Sequence, residues 1–401
     1  MIGAYRDIFR TPGSAAFSAA GFVARLPIAM VGIGTVTMIS QIEGGYGLAG
    51  ALAATLALSN AALTPVVSRA VDRYGQFTVL PIASGVAALA IASMLVGVRL
   101  DAPAWVLFVC AVPSGFMPTI GAMVRARWTE VYRGDERLRT AFAFESVVDE
   151  MCFIFGPVLA VGLSVSVAPE AGPLAGLIFL VVGTAALVVQ RRTEPPVHPR
   201  GRTTASGTVL RLPAMWVPII VMISLGAVFG TIDVGAIAFT SDRGQAGSAT
   251  VVLALFAVGS AASGLVFGAL RLVAPLRTQL FVAVSAVTIL LVPLLFAGTV
   301  PLLTLAYVAA GATISPTMII TTALVERSVP VSALTEGITW TVAGIGVGVS
   351  LGSAVAGQMI DRSGTTAAFA VALGGVAVAT MVTAWLFVRP PRPTGPPSST
   401  P

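Results

Sequence analysis

Twelve long apolar stretches, almost free of charge, limit what this chain can fold into. Of the 401 residues, 56% are hydrophobic and only 10% are charged, which leaves too little polar surface for a water-soluble protein. Lipid offers no partner for an unpaired backbone amide, so a chain crosses it as helices of about 20 apolar residues. We therefore predict an all-α integral membrane protein with twelve transmembrane helices, numbered one to twelve in chain order: 15–40, 46–68, 77–98, 104–126, 140–166, 171–190, 215–239, 249–270, 279–298, 302–326, 335–359 and 365–389.

Arginine is distributed unevenly between the loops that join these helices. If both ends of the chain lie on one side, that side receives nineteen arginines and the other side three, Arg99, Arg243 and Arg362. Loop arginines favour the cytoplasmic face, so we expect multi-pass insertion in the inner (plasma) membrane with both termini cytoplasmic. This topological role also accounts for the net charge of +6, and no nucleic-acid partner is expected.

The cytoplasmic end of helix four carries several residues that we assign to the membrane surface. Arg125 and Arg127 count among the cytoplasmic arginines, and Trp128 follows them where interfacial aromatics are common.

The longest polar interruption divides the chain almost in half. It contains three prolines and a glycine between 195 and 201, which is typical of a flexible linker. We predict an N-terminal bundle of six helices at 1–190, a cytoplasmic linker at 191–214, a C-terminal bundle at 215–389 and a proline-rich disordered tail at 390–401. The first apolar run is long enough to span the membrane, so it is expected to remain as helix one rather than be removed as a signal peptide.

The two predicted bundles resemble each other in sequence. Gly115–Thr119 in helix four has a counterpart in Thr313–Thr317 in helix ten, close to half a chain later. Such internal repeats indicate two pseudo-symmetric bundles and are typical of secondary transporters, with the binding site where the bundles meet.

The loop between helices two and three carries a recognisable motif, Ser68-Arg-Ala-Val-Asp-Arg-Tyr-Gly-Gln76. It resembles the Gly-x-Leu-Ala-Asp-Arg-x-Gly-Arg signature of the major facilitator superfamily, in the loop where that family carries it. Ser68 and Gln76 depart from the pattern, whereas Asp72, Arg73 and Gly75 match. An aspartate at a helix end beside arginines can hold one conformation through charge pairs and helix-dipole contacts, so we predict a conformational latch at these three residues.

A second resemblance lies in helix five. Gly156-Pro157 is similar to the Gly-Pro segment of the antiporter branch, which implies an efflux-like member, and proline beside a small residue is a candidate hinge. Many proton-driven members carry an arginine in helix four, about where this chain has Ala111. Their proton route therefore does not transfer directly to this chain.

Charged residues inside predicted helices are costly in lipid and are functional candidates. Arg25 lies about 15 Å into helix one, and helix five contains Glu145, Asp149 and Glu150, of which the first two share a face. One arginine cannot neutralise three carboxylates, which predicts that an acid is left to be protonated, hydrated or paired with a substrate. The alternatives are proton coupling through Asp149 or Glu150, a static salt bridge with Glu145 solvated near the cytoplasm, and substrate contact alone.

Further polar residues could line a central cavity. Asp233 in helix seven could meet a cationic substrate or be solvated at the outer mouth, and Thr119, Thr317 and Thr321 could face the cavity or bond back to their own helices. Because few other polar side chains are present, a small amphipathic or lipophilic molecule fits better than a sugar or phosphate.

The sequence therefore predicts a secondary active transporter that works by alternating access, with proton-coupled efflux as the leading hypothesis. A proton-coupled uptake symporter is the main alternative; a membrane receptor without transport activity and a membrane-embedded enzyme are more distant. No catalytic motif, nucleotide-binding loop or metal-ligand spacing is present in the sequence. We expect no catalytic residue, metal or cofactor, the proton gradient as energy source, and a monomer in the lipid bilayer.

Overall fold

A computed structural model describes residues 6–133, 135, 137–196, 211–269, 273–329 and 334–388. Most of the predicted linker and all of the predicted tail lie outside this part of the chain. The described helices are, in order, Ser14–Glu43, Tyr46–Tyr74, Gln76–Arg99, Ala104–Ser114 with Ile120–Val131, Arg137–Ser166, Ala171–Val188, Pro213–Ser241, Ser248–Ala269, Leu276–Leu291 followed by a 3-10 turn at Val292–Phe296, Val300–Ser328, Leu334–Ser363 and Thr365–Val388.

The predicted all-α membrane architecture is confirmed. Eleven of the described helices are long and apolar enough to span a membrane, and the twelfth crossing, helix four, is divided into two shorter segments. The first half of the molecule comprises helices one to six and the second half comprises helices seven to twelve.

The break in helix four corrects the prediction of one continuous span at 104–126. Pro113 and Pro118 cannot donate backbone hydrogen bonds, which interrupts the helix between its segments. Gly115 lies directly against helix two, where an added Cβ would be 2.8 Å from the Asn60 backbone nitrogen. The Asn60 side-chain amide donates to the carbonyl of Met117 at 3.3 Å. The second segment continues to Val131, so the basic residues at this end belong to the helix.

Contacts near the helix ends show which loops lie at the same end of the molecule. At one end, the backbone N–H of Phe77 donates to the Glu194 carboxylate at 2.8 Å, which joins the start of helix three to the segment after helix six. At the other end, Arg99 pairs with Glu170 at 3.1 Å, and Arg243 donates to the Gly298 carbonyl at 3.2 Å. We call these the arginine-rich end and the arginine-poor end.

The apolar core is shared between the halves unevenly. One large cluster contains residues of both halves, for example Leu52 of helix two and Ala356 of helix eleven. Its first-half members come from the middle and the arginine-poor parts of their helices. Two smaller clusters at the arginine-rich end each belong to one half, around Trp128 in the first and around Met215 in the second. The described halves are therefore packed together toward the arginine-poor end.

Glycines allow the backbones of helices seven and eleven to touch. A Cβ added at Gly348 would lie 2.9 Å from the Ala227 nitrogen, and one added at Gly230 would lie 2.6 Å from the Ser353 nitrogen. Small residues at such positions replace side-chain contact by direct backbone packing, which is a common basis of helix association in membranes.

We predict that Gly348→Ala destabilises the protein because its methyl group has no space against helix seven. Overpacking of this kind costs about 1–3 kcal/mol and should lower the midpoint of thermal unfolding in detergent. Gly374→Ala is the matched control, since an added Cβ there meets nothing within 4 Å. Equal midpoints for the two variants would contradict the close contact.

Candidate functional site

The acidic face of helix five lies on helix one. The carboxylate of Glu145 approaches the Arg25 guanidinium to 2.5 Å, and the carboxylate of Asp149 approaches it to 3.2 Å. Residues four apart share one helix face, which places both acids toward the same arginine. Further along this face, a Cβ added at Gly156 would lie 2.6 Å from the Cβ of Ala29, so helix five packs tightly on helix one.

A second arginine, which the sequence analysis assigned to the membrane surface, completes this cluster. Arg125 lies within the second segment of helix four, Ile120–Val131, and donates to the Asp149 carboxylate at 2.6 Å. Two arginines thus face the two acids whose side chains are described. The expectation that one arginine is outnumbered by three acids is corrected for Glu145 and Asp149; the side chain of Glu150 lies outside the described residues.

Glu145 is fully buried and has several polar partners. The Ser18 hydroxyl and the Trp128 indole N–H both donate to one of its oxygens, at 2.8 Å and 2.7 Å. Trp128 is itself 0% exposed, so its indole faces the protein interior and not lipid, and its predicted depth at the membrane interface stays a prediction. The alternative in which Glu145 is solvated near the cytoplasm is also wrong, because its side chain is 0% exposed.

The cluster has a buried side and an accessible side. The side chains of Arg25 and Glu145 are 4% and 0% exposed, whereas those of Arg125 and Asp149 are 31% and 32% exposed. The absent side chain of Gly121 leaves room for the accessible members, since a Cβ there would lie 3.3–3.5 Å from atoms of Arg125, Asp149 and Arg25. Asp149 and Arg125 are therefore the accessible members of the cluster.

Charge holds Arg25 in place more than directional bonding does. Its three guanidinium nitrogens are buried, and none has a hydrogen bond of good geometry to a described residue, although two of them form ion pairs. Ion pairs tolerate a change of angle better than hydrogen bonds, whose strength falls steeply with misalignment. Arg25 can therefore exchange partners without breaking a well-aligned bond.

Two of the three predicted latch residues, Asp72 and Arg73, are exposed at the arginine-rich end, and Gly75 is buried. Asp72 forms no hydrogen bond or ion pair with any described residue, and the guanidinium of Arg73 lies 5.0 Å from the Tyr74 ring centre. Gly75 joins helices two and three with a φ of 84°, a backbone conformation that favours glycine. The latch function of these residues stays a prediction.

Gln76, where the family signature has a basic residue, is buried against Arg127. It accepts a hydrogen bond from the Arg127 guanidinium at 2.8 Å and donates to the Met123 carbonyl at 3.0 Å. Arg127 also donates to the Gln190 carbonyl at 2.8 Å and is 0% exposed, so it is buried within the protein at the arginine-rich end. The neutral amide permits this burial, because a second cation would repel Arg127.

The remaining sequence candidates are placed differently from one another. Gly156 and Pro157 lie within the continuous helix five, and their hinge function stays a prediction. Thr317 and Thr321 are 0% exposed, and their hydroxyls donate to carbonyls of their own helix at 2.7 Å. This supports the back-bonding alternative and corrects their assignment to a cavity wall. Thr119 is partly buried at the start of the second segment of helix four.

Asp233 is the charged candidate of the second half. It is partly exposed and forms no hydrogen bond or ion pair with any described residue. Its neighbours along helix seven are buried, both Thr231 and Ile232 before it and residues 234–240 after it toward the arginine-poor end. Next to it, the carbonyl of Ile232 accepts a hydrogen bond from the Tyr307 hydroxyl at 3.0 Å.

Two described clefts, of about 380 and 350 Å³, lie away from these charges. They are lined by second-half residues alone, among them Phe267, Gln279 and Ile320. Because no first-half residue contributes, neither cleft has the position expected of a site between the halves.

Comparisons with known proteins agree with this architecture. A sequence model of the Major Facilitator Superfamily matches residues 17–299 and 237–401. Similar solved structures include a variant of the nucleoside transporter NupG (TM-score 0.75, 14% identity, 93% of this chain and 99% of that chain). Others are a bacterial homologue of the iron transporter ferroportin in an inward-facing state (0.72, 15%, 94% and 98%) and the POT family transporter PepTSo (0.70, 10%, 93% and 97%). No match to a curated protein sequence was found.

We predict that Arg25→Met reduces the folded yield because it leaves the buried Glu145 carboxylate without its cation. Breaking one side of a buried ion pair costs about 3–5 kcal/mol, whereas replacing both partners by apolar groups is often neutral. The double variant Arg25→Met/Glu145→Leu should therefore recover most of the monodisperse fraction in detergent chromatography. A double variant no better folded than the single one would contradict a pairwise interaction.

Proposed function

The chain belongs to the major facilitator superfamily and is a membrane transporter rather than an enzyme, and we propose that it exports a small amphipathic or lipophilic molecule in exchange for protons. The proposal includes alternating access of the two halves, a monomer in the inner membrane, cytoplasmic termini and no bound cofactor, with the proton gradient as energy source. The predicted linker at 191–214 would join the moving halves.

One observation carries the coupling proposal: the Asp149 carboxylate contacts two arginines, and its side chain is 32% exposed. A proton arriving at its carboxylate would leave Arg25 and Arg125 with Glu145 as the only described counter-ion. Two cations facing one anion in a low-dielectric site repel each other, which favours a rearrangement of helices one, four and five. Proton binding would in this way bias the conformational equilibrium.

The packing of the two halves supports an assignment of the conformation. The shared apolar core holds the arginine-poor end together, while the cores at the arginine-rich end are separate. If the arginine-rich end is cytoplasmic, as loop charge predicts, this arrangement is open toward the cytoplasm. Asp149 would then receive its proton from, or release it to, the cytoplasmic side in this state.

Asp233 is the second element of the proposal. The Asp233 carboxylate has no described partner, so it is suited to bind the positive group of an amphipathic substrate. Apolar faces of the surrounding helices would bind the apolar part of that substrate. A cationic amphipath is therefore the preferred substrate class. Uptake together with protons is the alternative that the same geometry allows, and the direction of coupled flux distinguishes the two.

The test is gradient-driven flux in proteoliposomes, with the lipophilic cation tetraphenylphosphonium as the probe and uridine as a hydrophilic comparison. We expect tetraphenylphosphonium to move against the proton flow in the wild-type protein. Asp149→Asn should abolish this dependence on the pH gradient while passive exchange of the probe continues, and Glu150→Gln should be tested beside it.

Glu130→Gln is the matched control, because Glu130 pairs with Arg133 at the surface and lies outside the cluster. Flux in the same direction as the protons would replace export by uptake. Full gradient-dependent flux in both the Asp149→Asn and the Glu150→Gln variant would refute coupling through helix five.

A further inference from the structure

Helix eleven ends with a motif that repeats the one at the end of helix two. Asp361-Arg-Ser-Gly364 has the same Asp-Arg-x-Gly pattern as Asp72-Arg-Tyr-Gly75. Both glycines end their helices with a positive φ, 81° at Gly364 and 84° at Gly75. The two motifs lie at opposite ends of the molecule, Gly364 at the arginine-poor end and Gly75 at the arginine-rich end. This is the relation that inverted repeats within each half would produce.

Asp361 forms a contact between the halves. One of its carboxylate oxygens accepts a hydrogen bond from the backbone N–H of Tyr46 at 2.8 Å, and the other accepts one from Gly47 at 2.6 Å. These are the first two residues of helix two, and Gly45 before them provides no side-chain cap. The second half thus supplies the N-terminal cap of a first-half helix, where a negative charge also interacts favourably with the helix dipole.

The surroundings of this contact are shaped to let the carboxylate approach. A Cβ added at Gly47 would lie 2.8 Å from an Asp361 oxygen, so glycine is needed for the observed distance. One turn before Asp361, a Cβ added at Gly357 would lie 3.3 Å from the Cα of Gly47, which shows that helices two and eleven meet backbone to backbone here. The side chain of Tyr46 lies against Ser241 of helix seven, which adds a second contact between the halves.

We propose that Asp361 is a latch that holds the arginine-poor end closed and opposes the latch at Asp72. In the described conformation Asp361 is engaged and Asp72 has no described partner, as expected if the two are used alternately. Opening of the arginine-poor end would leave two amides of helix two uncapped. The inference rests on the alternating access proposed above and adds a specific contact that sets the balance between its states.

Distances between spin labels test this latch without any transport assay. Labels placed at Glu43→Cys and Gln245→Cys, in a background carrying Cys110→Ser and Cys152→Ala, report the separation of the halves at the arginine-poor end. Asp361→Asn removes the negative charge and one of the two acceptor oxygens, and should raise the ratio of separated to closed populations roughly fivefold, the effect of losing a charge at a helix N-terminus. Gly47→Ala should act in the same direction without changing any charge, and Asp72→Asn should act in the opposite direction.

Asp101→Asn is the matched control, because it removes an exposed acid at the same end outside this contact. An Asp361→Asn variant with the wild-type distance distribution would overturn the latch, and so would an equal shift in the Asp101→Asn variant. The proposed function fails differently: loss of gradient dependence in wild-type flux would leave these distances unaffected.

Discussion

The high cost of an ionised side chain in hydrocarbon governs the first half of this molecule. Arg25 lies deep in helix one, and it is tolerated there because helix five brings Glu145 within 2.5 Å and Asp149 within 3.2 Å. The same requirement draws in Arg125 and the indole N–H of Trp128 from helix four. Three helices are thereby held in register by a neutral set of charges, and any change of protonation acts on all three together.

Packing of helix eleven on helices two and seven depends on a different property, the presence of glycine at the points of contact. Helices two and eleven meet at Gly47 and Gly357, and helices seven and eleven meet at Gly230 and Gly348. At such contacts few side chains interdigitate, so the helices can pack closely and still move relative to each other. Helix eleven contacts both halves through such surfaces, which suits a protein whose halves must part and return.

Most of the architecture is predictable from the sequence, because lipid restricts the backbone to helices and hydropathy alone then locates them. An interaction of Arg25 with acids of helix five was among the alternatives that the sequence offered, since these are charged residues in apolar segments. Arg125 escaped prediction because it was counted with the cytoplasmic arginines although it lies within the predicted span. Trp128 lies beyond the predicted end of helix four, whereas the helix itself continues to Val131. The cap at Asp361 joins residues some 315 positions apart, and the repeat of the Asp-Arg-x-Gly pattern was the signal that could have revealed it.

The buried amide of Gln76 has an evolutionary consequence. The side-chain oxygen of Gln76 accepts a hydrogen bond from the Arg127 guanidinium, and the Arg127 side chain is 0% exposed. A lineage carrying this pair could not restore a basic residue at position 76 in one step, because two guanidinium groups would then share one dry site. Position 127 would have to change first. Substitutions at positions 76 and 127 are therefore expected to be correlated among descendants of this chain.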